Sequence, residues 1–205
     1  MNLRLPENRN SPLMIASPEG MRHMPKIETR PFPPFLPKAA TVMMMGTFPP
    51  KAEKRSMEFH YPNFQNDMWR VYGLVFFDDA QHFQKENANA FDADKIKAFL
   101  TAKGIASCPT VRRAVRTHDN ASDQFLDVVE TVDLRAVLKK IERCRHIGTT
   151  GGKATEILFG ILGLKYKEFH LGETATTIYD GRQVSVTRLP STSRAYPMKL
   201  VKKAE

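Results

Sequence analysis

Cysteine is nearly absent from this chain: Cys108 and Cys144 are the only two in 205 residues. Two thiols cannot build a disulfide framework, a four-thiolate iron–sulfur cluster or a structural zinc site. They read as buried free thiols of a reducing compartment. Long apolar runs are missing as well. The longest, "TEILFGILGL", is too short to cross a bilayer. The first residues include Arg4 and Arg9 but no apolar segment of the kind a secretion signal carries. A cytoplasmic protein is the expectation. A true P-loop is also missing, although "TTGGKAT" suggests one. That motif needs a glycine where Ile147 stands and a Ser or Thr where Ala154 stands, so nucleotide triphosphate hydrolysis is excluded.

What the chain does have is ordinary globular composition, 41% hydrophobic and 26% charged, with a formal charge of +9. The positive charge is spread over Arg112, Arg113 and Arg116, then Lys139 to Arg145, then Arg194 to Lys203. No polybasic tail results. Such a distribution suits a folded surface laid against a phosphate backbone.

Residues 1–30 lack clear periodicity and read as an irregular arm. Residues 31–205 read as a single domain. "RPFPPFLPKAA" predicts an extended lead-in, because its prolines exclude regular helix. Thr41 to Met45 predicts a short buried strand ended by Gly46. From Asp67 the apolar positions Met68, Val71, Tyr72, Val75 and Phe76 follow helical spacing. Asp92 and Asp133 predict two more helix starts, and Gly104 a helix end. "GIASC" and "CRHIGT" predict strands. After "TGG" a further helix runs to Gly163. "YKEFHL" and "TTIYDGRQVSVTRLP" predict late strands, with a turn at Asp180-Gly181. Helices alternating with short apolar strands give an α/β fold with a mostly parallel sheet.

Such sheets carry function in the loops at the carboxyl ends of their strands. Three unusual loops fall there: "GTFPP", "TTGGKA" and "LPSTSRA". The first is followed by "FHYPNFQN". Gly46 permits close approach of a flat ligand to the backbone. Phe48, Phe59 and Tyr61 offer ring faces, and Asn66 offers an amide just ahead of a helix. Ring faces with amide edges suit a nucleobase. Singly, such residues more often serve as core or cap, and for Asn66 a capping role fits equally well. "TTGGKAT" reads as a tight strand-to-helix turn, or as backbone N–H groups and Lys153 near a phosphate. "LPSTSRA" reads as a polar turn or a phosphate clamp.

Taken together, "MMMGTFPP", "YPNFQNDMW", "TTGGKATEILF" and "RLPSTSRA" resemble, in that order, the uracil-DNA glycosylase superfamily. The nearest likeness is to its hypoxanthine-excising and mismatch-specific branches, over roughly Glu28 to Pro197. The resemblance implies a three-layer α/β/α sandwich with a short, mostly parallel central sheet. It implies a monomer that binds DNA containing a deaminated base, uracil or hypoxanthine. That base would be flipped into a pocket and released by hydrolysis of its N-glycosidic bond, with no metal and no cofactor.

The resemblance also distributes roles. Gly46, Thr47, Phe48, Phe59 and Tyr61 would form the base pocket. Lys153, Ser191, Thr192, Ser193 and Arg194 would hold DNA, with Ser193 or Arg194 at the place of the duplex-inserting wedge. Much of the superfamily places an Asp or Asn where Phe48 stands, to hold the attacking water. In the hypoxanthine-excising branch an Asn of the second motif is implicated instead, which carries the catalytic role onto Asn66. Its carbonyl would orient water, or its amide would steady the leaving base. Leu189 stands where some branches polarise a base carbonyl. These two departures imply a slower or more tolerant enzyme, and they keep alive a non-catalytic DNA-binding protein of the same fold. A nucleoside hydrolase on a similar fold is the third reading. No lysine nucleophile is placed in the matched motifs other than Lys153, which makes the implied glycosylase monofunctional.

Overall fold

The computed structural model describes residues 26–117, 125–167 and 169–205. Most of the arm expected over 1–30 lies outside the described residues. In chain order the elements are β1 (Ile27–Thr29), β2 (Val42–Met45), α1 (Met68–Phe77), α2 (Ala93–Lys103), β3 (Ile105–Ser107), β4 (Val111–Arg116) and β5 (Leu126–Thr131). They continue with α3 (Leu134–Lys140), β6 (His146–Thr150), α4 (Gly152–Leu162), β7 (Thr174–Tyr179), β8 (Arg182–Leu189) and α5 (Leu200–Ala204). Among the described residues no helix is long and apolar enough to cross a membrane.

Five strands form the central sheet in the order β3-β2-β6-β8-β7. The first four run parallel, and β7 returns antiparallel to β8. The register places Met43 beside both Ala106 and Ile147, and Ile147 beside Val186. The hairpin turn falls at Asp180 and Gly181, which both have positive φ (50° and 74°), as a tight two-residue turn requires.

Strand alternation explains the layers. Met43 and Met45 point to one face, where they join Leu134 and Leu138 of α3 and Leu158 and Phe159 of α4. Met44 belongs to the other face, with Trp69 and Tyr72 of α1 and Phe99 and Leu100 of α2. The sheet is thus covered by helices on both sides, as a parallel sheet demands. Each large apolar side chain removed from water in these two cores contributes ~1.5–3 kcal/mol. Cys108 and Cys144 are free and buried in the first core. Burial pushes both thiols up to about 11, so they remain protonated and inert.

The helix starts follow the sequence signals. Asp92 accepts hydrogen bonds from the Asp94 and Lys95 N–H groups, and Asp133 from that of Ala136. Gly104 and Gly163 close α2 and α4 in left-handed conformation.

Two expectations fail. Segment 166–171 ("YKEFHL") contains no strand among its described residues. Its Tyr166 and Phe169 rings pack on α4 instead: the Phe169 ring lies 4.6 Å from that of Phe159 and Tyr166 meets the same ring edge-on. The second concerns strand content, because the predicted strands do not include a separate sheet. β1, β4 and β5 form a separate antiparallel sheet, ordered β1-β4-β5. β4 and β5 lie on the chain between β3 and α3, and β1 comes from the end of the expected irregular arm. Its small core of Val111, Ala114 and Leu126 packs against Phe48 and Ile157.

Candidate functional site

Because β2, β6 and β8 are parallel neighbours, their carboxyl ends lie side by side. The three loops singled out in the sequence therefore converge. Together with residues 60–66 they surround a cavity of about 640 Å³, within the usual size range for small-ligand sites.

Tyr61 joins two of the strand ends. Its hydroxyl shares a 3.0 Å hydrogen bond with Thr150 Oγ1, at the end of β6. Its ring lies over Gly46, at the end of β2: a Cβ there would stand 2.9 Å from the Tyr61 hydroxyl and 3.2 Å from its ring. Gly46 is thus required by close approach of a side chain of this protein. Tyr61 itself has φ of 50°, an uncommon conformation for a bulky residue. Gly151 faces the third loop. Its φ of 97° suits glycine, and a Cβ would meet Ser191 at 3.4 Å.

Asn66 lines the cavity and caps α1: its Oδ1 accepts the Met68 N–H at 2.9 Å. The backbone carbonyls of Asn66 and Phe64 accept hydrogen bonds from Arg70 at 3.1 and 2.7 Å. One oxygen lone pair is committed to the cap, and the amide NH2 is left to face a ligand.

Beside it, Asp67 ties α1 to the "LPSTSRA" loop. The Asp67 N–H donates to the Thr192 carbonyl at 2.8 Å. Its carboxylate accepts from Lys203 of α5 at 3.0 Å and from Arg194 at 3.4 Å. Lys203, with only 1% of its side chain exposed, also donates to the Ser193 carbonyl at 2.8 Å. Arg194 further donates to Gln65 Oε1 at 2.5 Å. The loop hydroxyls organise the loop: Ser191 Oγ accepts the Ser193 N–H and Ser193 Oγ accepts the Ala195 N–H.

The "GTFPP" loop is held by the second sheet. Gly46 and Thr47 carbonyls accept the N–H groups of Thr110 (2.8 Å) and Val111 (3.1 Å). Arg116 of β4 donates to the Pro49 carbonyl, pairs with Glu28 of β1 at 3.0 Å, and lies 5.4 Å above the Phe48 ring. Phe48 lines the cavity, but this packing also makes it a foothold for the loop.

The structure brings together Gly46, Thr47, Phe48, Tyr61, Asn66, Lys153, Ser191, Thr192, Ser193 and Arg194 around one cavity. Phe59 is not among the lining residues. It is buried in the second core, its ring stacked on His60 at 4.9 Å and on Trp69 at 6.0 Å. Tertiary packing carries the reason: the chain bends through this segment, Phe59 turns into the second core, and His60 and Tyr61 reach the cavity. His60, Ser107 and Phe32, for which the sequence predicts no role, also line the cavity. The only sequence signal for them was the unusual position of a histidine beside the aromatic cluster.

His60 is held at both ring nitrogens. Nε2 lies 2.9 Å from the Pro33 carbonyl and Nδ1 2.6 Å from Ser107 Oγ. Burial, with Arg30 nearby, pushes its pKa down to about 4, so the ring is neutral at physiological pH.

Among solved structures, the chain is similar to a protein from Methanosarcina acetivorans provisionally identified as a uracil DNA glycosylase. The TM-score is 0.53 at 22% identity, with 83% of this chain and 87% of that one covered. The fold is uracil-DNA glycosylase-like. No protein-family model and no curated protein matches the chain. In this fold, as in other open α/β sheets, the ends of the parallel strands are where ligands bind, and the cavity described above lies there.

The charged residues of the lining are Lys153 and Arg194, and no Asp or Glu belongs to it among the described residues. Lys153 is drawn toward Glu156, 3.5 Å away on α4. The cavity can therefore favour an anion, supply amide and hydroxyl hydrogen bonds, and enclose a flat ring. Among the described residues its lining offers no carboxylate to act as general base.

Proposed function

We propose that the protein is a monofunctional DNA glycosylase of the uracil-DNA glycosylase superfamily, acting on uracil or hypoxanthine in DNA. The observation that carries this reading is the convergence of all three strand-end loops and Asn66 on one cavity whose lining, among the described residues, has two cations and no carboxylate.

The reaction adds water oxygen to C1′ as the C1′–N bond breaks. The bonding pair leaves with the base, and the water proton is released to solvent or to the departing base. Charge builds on the base before the water is fully bonded, so a site that stabilises an anion lowers the barrier without a strong base. Lys153, Arg194 and the loop N–H groups supply that environment. Asn66 contributes its amide to the leaving base, or its remaining carbonyl lone pair to the water. Lys153 is not required as a nucleophile, which keeps the chemistry hydrolytic.

A second reading is favoured by one observation. Phe48 is packed beneath Arg116 where a water-holding side chain would be expected. On that reading the protein binds DNA and releases no base. Duplexes carrying U, hypoxanthine, xanthine or T opposite each normal base separate the two when incubated with protein and then cleaved by alkali. Strand cleavage at U or hypoxanthine is the expected result. Tight binding with no cleavage on any duplex would establish the non-catalytic reading.

A further inference from the structure

We propose that Ser107 selects the base: its hydroxyl oxygen accepts the ring N–H of a lactam base and turns away the corresponding bare nitrogen of an amino base. This deepens the glycosylase reading and rests on it for the identity of the ligand as a nucleobase.

One chain of hydrogen bonds, from the Pro33 carbonyl through His60 to Ser107, sets where the Ser107 proton points. The Pro33 carbonyl can only accept, so His60 Nε2, 2.9 Å away, carries the proton. The imidazole is neutral because burial disfavours its charged form. Nδ1 is then a bare acceptor, and Ser107 Oγ, 2.6 Å away, must donate to it. The single hydroxyl proton of Ser107 is spent inward. What remains on its oxygen is lone pairs, and Ser107 lines the cavity together with His60. Ser107 is also fixed in place, since its N–H and C=O are both bonded to Phe35 at 2.9 Å.

An oxygen that can only accept distinguishes two classes of heterocycle. Uracil N3 and hypoxanthine N1 carry hydrogen. Cytosine N3 and adenine N1, the same ring positions before deamination, carry a lone pair. Presented to Ser107, the lactam edge makes a hydrogen bond, whereas the amino-base edge opposes lone pair to lone pair. Ser107 could donate to the amino base only by abandoning His60 Nδ1, which would leave a buried acceptor unpaired. A site built to bond a substrate N–H rejects the analogue lacking it far more strongly than a merely apolar pocket can. Ser107 is thus a specificity residue, and His60 and the Pro33 carbonyl are positioning groups that set the direction of its proton.

The test measures binding of the full chain to duplexes in which 2′-fluoroarabino sugars block base release. One carries uracil, one cytosine, and one 3-deazauracil, which has C–H in place of N3–H. Wild type is expected to bind the uracil duplex about tenfold or more tightly than either of the others. Ser107→Ala should bring the uracil-to-cytosine ratio near one. His60→Phe should do the same, because it frees the hydroxyl to turn. The 3-deazauracil arm uses unaltered protein and does not depend on either variant folding. Equal affinity of wild type for uracil and 3-deazauracil would overturn the proposal, as would an unchanged ratio in folded Ser107→Ala. Failure of the glycosylase reading looks different: uncleaved uracil and hypoxanthine in natural duplexes, with the uracil preference of Ser107 intact.

Discussion

The Tyr61 ring covers Gly46 so closely that a single added methyl group at Gly46 would stand 2.9 Å from the tyrosine hydroxyl. The hydroxyl is in turn bonded to Thr150, so the ring cannot swing aside without giving up that bond. Gly46→Ala should therefore destabilise the protein by ~1–3 kcal/mol, the usual cost of overpacking. Thermal unfolding measures it. In Gly46→Ala/Tyr61→Ala the obstruction is gone, and the two losses should sum to more than the double mutant shows. Strict additivity would mean that the two residues do not oppose each other.

Asn66 has two jobs that a pair of substitutions can separate. Asn66→Ala removes the acceptor for the Met68 N–H and should cost ~1 kcal/mol as a lost cap. It should also slow single-turnover base release by about a hundredfold or more while duplex binding stays near wild type. Asn66→Asp keeps the cap oxygen and loses the NH2, so it should restore stability. If it also restores base release, the carbonyl orients water. If it does not, the amide serves the leaving base. Unchanged release in Asn66→Ala would remove the residue from the mechanism.

The elements that were legible in the sequence are those whose signals are local. Asp92, Asp133, Gly104 and the alternation in β2 each fix a boundary or a face within a few residues. The convergence of "GTFPP", "TTGGKA" and "LPSTSRA" followed from topology, because parallel neighbours place their ends together. What escaped depends on distant partners. β4 and β5 mix charged with apolar residues without a clean alternation, and the pairing of β4 with β1 spans more than 80 residues. Phe59 and His60 are adjacent in sequence, and only tertiary packing decides which ring enters the core. The His60–Ser107 bond joins two segments 47 residues apart, and no spacing rule connects them.

Arg194 is half-exposed and held by Gln65 and Asp67. It is poised at the cavity mouth with part of its charge still offered to solvent. Arg194→Ala should weaken duplex binding and lower the slope of log affinity against log salt by about one. An identical slope would show that this arginine touches no phosphate.

Lys203 and Asp67 form a buried pair between the C-terminal helix and the start of α1. Lys203→Met leaves the Asp67 carboxylate with only Arg194 and the more distant Arg70 for compensation. Loss of one partner of a buried pair costs ~3–5 kcal/mol, so a fall of that order is expected on chemical denaturation. Lys203→Met/Asp67→Asn should recover part of it, since no uncompensated charge remains. The Ser193 carbonyl also loses the Lys203 donor in both variants and keeps only the Tyr196 N–H. Duplex binding should therefore weaken in both, even where stability is recovered.

His60 makes stability depend on pH in a defined window. Its ring is neutral in the folded protein, with the pKa pushed down from 6.5 to about 4 by burial and by Arg30, against the opposing effect of the Pro33 carbonyl. Above pH 6.5 the imidazole is neutral in both the folded and unfolded chain and contributes no pH dependence. As pH falls below 6.5 the unfolded chain takes up a proton that the folded one refuses, so unfolding is favoured. The loss accumulates down to about pH 4 and then stops, because both forms are protonated. Its full extent is ~3 kcal/mol by the usual conversion between pKa and free energy. Urea denaturation of wild type and His60→Gln at pH 7, 5.5 and 4.5 checks this. The wild type should lose stability relative to the variant as pH drops, since glutamine has nothing to protonate. Parallel curves for the two proteins would mean that the proton enters the folded site freely, and that Nδ1 does not stay a bare acceptor for Ser107.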